Sequence, residues 1–373
     1  MLTEERKKPA RLSSSDQDSA GGRESVTFST NDHTIDDEWD DFVKRYRGGH
    51  HLQSSFWAQV KRRQRWRAVR VRATKGNDIV GGAQMLYRPL GFAGAIGFVS
   101  KGPIVAMKHQ DAASGLIDYM LDRAHRLRIK QIYMEPPLGM SWLEPKLKES
   151  GFAVTPFRLS AQTTTVVDLA QDADALLASM RQTTRRNVRI AIKKGVQVRP
   201  GGEADIALFA GLMRKTAERK GFVGDEEPLL RAMWSILEPG GHVHLLITEI
   251  DGEAVSAAWL IPFGDTVVFK RGAWSGRHGD RRPNEFMHWS AMLWAQQNRY
   301  RYYDFDGVYP DQFKLGFGGA VLNRSSTYVL SMGPLFGIVA KAIPRLFKLR
   351  NIQRFLKAGG AAHERRNSRS AKN

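Results

Sequence analysis

Cysteine is absent from all 373 residues. That excludes disulfides, thiolate metal clusters and a cysteine nucleophile. Acidic residues are few: 38 Asp and Glu stand against 57 Lys and Arg, a net charge of +19. The excess goes beyond what solubility asks and implies an anionic partner: nucleic acid, an acidic membrane surface or a phosphorylated substrate. Apolar runs long enough to span a bilayer are missing. The N-terminal stretch also lacks the apolar core of a secretory leader. A cytoplasmic protein, soluble or peripheral at the inner face of the plasma membrane, is therefore expected. Metal chemistry finds no foothold, because His50-His51 and His242/His244 each lack a third ligand at a suitable spacing.

What the chain does have is globular composition, 42% apolar and 10% aromatic, in a length too great for one ordinary core. Residues 1–24 and 358–373 are polar and expected to be disordered. Between them the order of elements repeats. The first copy reads as helices over Asp36–Arg47 and Ser55–Gln64, a hairpin of Ala68–Ala73 and Ile79–Arg88, and a strand Ala95–Ser100. A helix Asp111–Leu127 and a strand Gln131–Glu135 follow, then a short helix closed by Gly151-Phe152. The second reads as helices Asp172–Lys194 and Glu203–Arg219, strands Val243–Ile250, Ala254–Pro262 and Thr266–Arg271, and a helix Asn284–Asn298. A strand Tyr302–Phe305 then leads into DQFKLGFGGAV and its own Gly-Phe. Each copy is α/β, an antiparallel hairpin beside parallel strands joined by a helix. The domains predicted are 25–160, completed by a strand from about 320–332, and 161–319.

That order, ending in a short helix and Gly-Phe, resembles the GNAT acyltransferase fold. Two such halves carrying QSSFWAQVK, VSKGPIV, TTTVVDLA with LLASMRQTTRRNVRIAIKKGV, ERKGF, RGAWSGRHGDRRPNEFMHW and YDFDG…FKLGFGG resemble the FemABX family of peptidoglycan interpeptide-bridge aminoacyltransferases. The resemblance implies two tandem GNAT-like domains, here without the long helical-hairpin arm of some relatives. It implies transfer of an amino acid from aminoacyl-tRNA to the side-chain amine of a peptidoglycan precursor's stem peptide. No cofactor is then needed beyond aminoacyl-tRNA as co-substrate, and the tRNA phosphates become the client of the basic charge.

Ester aminolysis needs a deprotonated amine and a stabilised oxyanion. Lys314 is the candidate donor of positive charge: glycines around it let backbone approach a substrate, and the resemblance implies a transition-state role. A snorkelling surface lysine is the competing reading. Phe313 is expected to support its stem. Asp304 and Asp306, on one strand face with Tyr302, are candidates to position or deprotonate the amine, although Asp306-Gly307 also makes an ordinary turn. Glu135 is the corresponding acid of the first copy, where relatives commonly have Asp-Pro. Lys61 and Arg219 match residues that grip the precursor, and both also sit where a helix dipole favours cations. Arg181, Arg185, Arg189 and Lys193 recur at near-helical spacing and form a candidate tRNA-phosphate stripe, or a merely solvated face.

The segment 333–357 interleaves apolar and basic residues, suiting an anionic membrane surface or a helix packed on the protein. An acyl-CoA-dependent GNAT enzyme, a lipid aminoacyltransferase and a non-catalytic RNA- or membrane-binding protein remain as alternatives.

Overall fold

The computed structural model describes residues 25–46, 48–307 and 312–333. The ends 1–24 and 358–373 lie outside the described residues, as does all but Gly333 of the segment 333–357.

The first half runs β1 (Val26–Asn31), α1 (Asp37–Arg45), α2 (Ser55–Arg62), β2 (Arg67–Lys75), β3 (Asp78–Pro89), β4 (Ala95–Ser100) and β5 (Ile104–Val105). It continues with α3 (Ala112–Arg126), β6 (Ile129–Glu135), α4 (Leu143–Glu149) and β7 (Ala153–Thr155). The second half runs β8 (Thr163–Asp168), α5 (Ala173–Ser179), α6 (Gln182–Lys193), β9 (Gln197–Gly201), α7 (Ile206–Lys220), α8 (Glu227–Leu237), β10 (His244–Ile250), β11 (Glu253–Phe263) and β12 (Thr266–Trp274). It ends with α9 (Pro283–Gln297), β13 (Tyr302–Asp304), α10 (Gln312–Leu315), β14 (Ala320–Asn323) and β15 (Thr327–Ser331).

Two sheets result, ordered β1-β2-β3-β4-β6-β15-β7 (with β5 on β3) and β14-β8-β13-β12-β11-β10-β9. Each contains an antiparallel meander, then a crossover helix to a parallel neighbour: α3 joins β4 to β6, and α9 joins β12 to β13. Strands β14 and β15 stitch the halves together. The first pairs with β8 in the second sheet, and the next slots between β6 and β7 in the first. Local chemistry sets the turns. Asp251-Gly252, both at positive φ (52° and 79°), close the β10–β11 hairpin in the twist its strands require. Gly221 ends α7 in the left-handed region.

One apolar core reaches across both halves, from Trp39, Val99 and Leu116 to Phe209, Leu237 and Trp259. Phe56 on α2 stacks on His242 and meets Phe263. A second core, with Val167, Leu260, Met292 and Tyr303, fills the other face of the second sheet.

Several expectations need correction. The helix expected over Asp172–Lys194 is two helices. Met180 is extended and buried in the second core, and the Arg181 N–H donates to the Gly316 carbonyl at 2.9 Å, so the chain turns there. Strands β1 and β9 and helix α8 were not anticipated. Strand β13 stops at Asp304, because the next N–H goes to the Thr165 carbonyl and Asp306 turns at φ 50°.

Candidate active site

A cleft of about 260 Å³ opens where the halves meet. The first half contributes Trp57, Lys61 and an apolar wall of Trp66, Leu86 and Phe98. The second contributes Lys270, Arg271 and Asp306, and the connector lays Leu159–Ala161 across the side.

The motif QSSFWAQVK now has a physical reason. The Gln53 side chain donates to the carbonyls of Ser100 (2.8 Å) and Gln84 (3.2 Å) and accepts from the Gln84 N–H (2.7 Å), clamping the loop onto β3 and β4. The Ser54 hydroxyl caps α2 by accepting from the Trp57 N–H, and the Ser55 N–H and hydroxyl both donate to Asp40. Helix α2 therefore starts at a fixed angle and presents Trp57 and Lys61 to the cleft. Ammonium groups sit over the Trp57 ring from both halves, Lys61 at 5.6 Å and Lys270 at 5.2 Å.

Behind the surface lies a chain of buried charges. Lys270 pairs with Asp306 at 3.1 Å, and Arg324 reaches Asp306 at 3.2 Å and Asp304 at 3.6 Å. Asp304 also accepts from the Thr164 hydroxyl and, at 2.8 Å, from the Asp306 N–H. Burial raises the Asp304 carboxyl above the ordinary carboxylate value, and the charge of Asp306 adds to this. Burial would raise Asp306 too, but Lys270 and Arg324 outweigh it and hold that carboxyl well below the usual range. Burial lowers the Lys270 ammonium against the pull of Asp306. Arg271 is raised by its partner Asp225, at 2.8 Å.

A second cluster stands at the end of β6. Lys101 pairs with Glu135, and the Ser160 hydroxyl joins both; its oxygen is 2.9 Å from the Lys101 ammonium. Burial lowers Lys101. Lys101 and Asp306 are both non-glycine residues at positive φ, 59° and 50°, which costs on the order of 1–2 kcal/mol each. His50 and His51 are pushed well below the usual imidazole range by burial and are neutral at pH 7. Among the described residues His50 Nε2, Glu135 Oε2, and Arg324 Nε and Nη1 are buried without a hydrogen-bond partner. Several perturbed groups and unsatisfied polar atoms thus stand at or beside the cleft.

The expected site residues divide. Lys61 lies in the cleft, its ammonium 2.9 Å from the Gln64 side-chain oxygen. Of the two acids of β13 and its turn, Asp306 lines the cleft and Asp304 is buried behind it. Glu135 is buried and engaged by Lys101 rather than open to a ligand. Lys314 is half-buried behind the wall, donating to the carbonyls of Phe305 (2.9 Å) and Gly307 (2.6 Å), one on each side of Asp306. Phe313 packs on His288 and Phe317, in the second core, rather than along the lysine stem alone. Arg219 is exposed away from the cleft lining, its guanidinium 4.7 Å from the Trp274 ring.

The basic stripe is also revised. Arg181 is the N-cap of α6 and stands off the helix, and Arg185 donates to the carbonyls of Ala178 and Met180 (2.6 Å each), closing the end of α5. Arg189 and Lys193 remain exposed, with Arg186 beside them. The start of α6 touches the Lys314 bend, since a Cβ on Gly316 would meet Thr184 Oγ1 at 2.3 Å.

Sequence reasoning missed Lys270, Arg271, Lys101, Ser160 and Arg324. For the first two a signal existed. Adjacent cations directly after the apolar run VVF, inside a predicted strand, are costly to place there unless paired or used.

The residues 34–150 match the model of the FemAB family, and 178–315 match an acetyltransferase (GNAT) domain. A tandem GNAT protein from the clavulanic acid biosynthesis pathway aligns with a TM-score of 0.54 at 11% identity, covering 83% of this chain and 99% of that one. The fold is thus a tandem pair of GNAT-like units with the cleft between them. The crystal structure of FemX aligns with a TM-score of 0.76 at 21% identity, over 83% of this chain and 99% of that one. The lipid II:glycine glycyltransferase of Staphylococcus aureus is 26% identical over 231 residues, 59% of this chain and 55% of its own length. The FemAB family model thus accounts for the first half of the chain, a GNAT domain for much of the second, and the whole shares the FemX fold. The chain spans about half the length of the curated relatives it matches.

Proposed function

We propose that the protein is an aminoacyltransferase that moves an amino acid from aminoacyl-tRNA to the side-chain amine of a peptidoglycan precursor's stem peptide. The observation that carries this is the cleft itself: three cations, Lys61, Lys270 and Arg271, and one carboxylate, Asp306, face a single aromatic-walled space at the junction of the halves. That charge balance suits an acceptor bearing phosphates or carboxylates together with one amine. Support comes also from a relative whose name specifies lipid II and glycine.

In the reaction the acceptor nitrogen attacks the ester carbonyl, an amide C–N bond forms and the ester C–O bond breaks. The acceptor ammonium first gives one proton to solvent, and the second proton, lost as the amide forms, ends on the ribose oxygen. Asp306, held ionised, faces the acceptor ammonium before its deprotonation. Lys314 serves from behind the wall, fixing the turn that carries Asp306 through its hydrogen bonds to the carbonyls on either side. Arg189 and Lys193, exposed on the helix that abuts the Lys314 bend, would meet tRNA phosphates. The work takes place at the cytoplasmic face of the membrane if the acceptor is lipid-linked.

The test is incubation with a charged tRNA pool and a lysine-containing muropeptide precursor, with product read by mass. The reading requires an added aminoacyl mass that disappears when the tRNA is deacylated. Transfer from acetyl-CoA without RNA would replace it with the acyl-CoA reading.

A further inference from the structure

The end of the first sheet at the turn between β3 and β4 carries a feature that transfer chemistry does not use. Between β3 and β4 the chain makes a closed loop: the Leu90 N–H donates to the Gly94 carbonyl at 2.7 Å, and Gly91 and Gly94 both take positive φ (65° and 93°). Phe92 at its tip is 98% exposed, with Gly91 and Ala93 beside it. A solvated aromatic held out by a closed loop is an apolar probe with no partner among the described residues.

Cations surround it. Strand register brings the start of β2 (Arg67 opposite Tyr87), the start of β6 (Ile129 opposite Ala95) and the end of β15 (Ser331 opposite Gln131) to this same edge. Arg128 donates to the Phe92 carbonyl at 3.5 Å, and Gly94 lies against the Lys130 stem. Arg65, Arg67, Arg128 and Lys130 form no ion pair among the described residues; the acid nearby, Asp122, is taken by Arg126. The Met332 N–H donates to the Lys130 carbonyl at 2.8 Å, so the chain leaves the described structure at this edge. It leads there into the sequence 333–357, which alternates apolar and basic residues.

The edge is continuous with the cleft. Leu86 and Phe98, a cross-strand pair on the cleft wall, are followed on the same face by Arg88 and Ile96, so Leu90 lies about 13 Å along the strand from Leu86.

We propose that this edge, with Phe92 at its tip and Arg65, Arg67, Arg128 and Lys130 around it, docks on an anionic lipid bilayer and brings the cleft mouth to the headgroup layer. The aromatic inserts among acyl chains while the cations meet lipid phosphates. An RNA surface would satisfy the cations but has no use for an apolar loop followed by an apolar-basic tail. The proposal rests on the transferase reading for its purpose, through a lipid-linked acceptor, but not for its test.

That test is co-sedimentation of the full chain with phosphatidylcholine vesicles, with and without phosphatidylglycerol. Binding is expected only with the anionic lipid. Phe92→Ser should weaken it about tenfold or more, from loss of one buried aromatic, and Arg128→Glu by a similar factor. Phe92→Ser should keep the wild-type melting temperature and its transfer to a soluble muropeptide. Unchanged vesicle binding by Phe92→Ser would overturn the proposal. So would an Arg128→Glu protein that binds vesicles normally but loses tRNA retention on a filter. Vesicle binding that follows Phe92 in a protein with no transfer activity would leave the docking edge standing and remove the transferase reading.

Discussion

Replacing Lys270 by Met tests the buried ion pair at the floor of the cleft. The two side chains are 9% and 17% exposed and 3.1 Å apart, so Lys270→Met strands a largely buried carboxylate. Breaking such a pair from one side typically costs about 3–5 kcal/mol. Here Arg324 still contacts Asp306 at 3.2 Å, which places the expected loss at the low end, about 3 kcal/mol. With a urea m-value near 3 kcal/mol/M, the unfolding midpoint falls by about 1 M. Asp306→Asn should cost a similar amount, since it strands Lys270. The double variant should lose less than the sum, by about 1–2 kcal/mol, because neither charge is then left alone. The pH dependence has a definite sign. Asp306 is depressed below 3.8 in the folded protein, so its contribution is present above the unfolded value and is lost as pH falls through the folded one. Removing Lys270 lifts the folded value, so the gap between wild type and Lys270→Met should narrow as pH falls through the variant's folded value towards the lower wild-type one. Additive single losses and a gap independent of pH would refute the coupling.

Further outcomes follow from the same geometry. Lys314→Ala removes the two hydrogen bonds that fix the turn carrying Asp306 and should lower kcat about 10²-fold, the scale for a misplaced group at the site, with a smaller change in KM for the precursor. Equal losses in KM alone would assign the lysine to binding. Gly316→Ala forces a Cβ to 2.3 Å from Thr184 Oγ1 and should destabilise the bend by about 1–3 kcal/mol, seen in thermal unfolding. Arg185→Ala should lower stability by about 1 kcal/mol through the lost cap of α5, whereas Arg189→Glu should leave stability alone and raise KM for charged tRNA in a salt-dependent way. Loss of tRNA dependence in the Arg185 variant only would invert that assignment.

The order of elements was legible because period-two and helical patterns are local, and Gly151, Gly195, Gly221 and Gly252 punctuate them. The break at Met180 was not, because SMRQTT contains neither Pro nor Gly; a buried methionine and a contact with Gly316, far along the chain, decide it. Lys61, singled out by the family resemblance, and Asp306, by its place in YDFDG, both line the cleft. Lys270 and Arg324 did not, because what makes them functional candidates is their approach to Asp306 from other segments. Lys101, Glu135 and Ser160 come together from three such segments, and only tertiary contact joins them. Asp304 looked the stronger acid because Asp306-Gly307 also reads as an ordinary turn, but that turn puts the Asp306 carboxylate on the cleft and leaves Asp304 behind it.

The most direct measurement is hydrogen exchange by mass spectrometry with and without the muropeptide precursor. The account predicts slowed exchange in Leu52–Lys61, in the connector Leu159–Ala161 and around Asp304–Gly307, the segments that meet at the cleft. Protection confined to the outer surface around Arg219, with none at the junction of the halves, would contradict it.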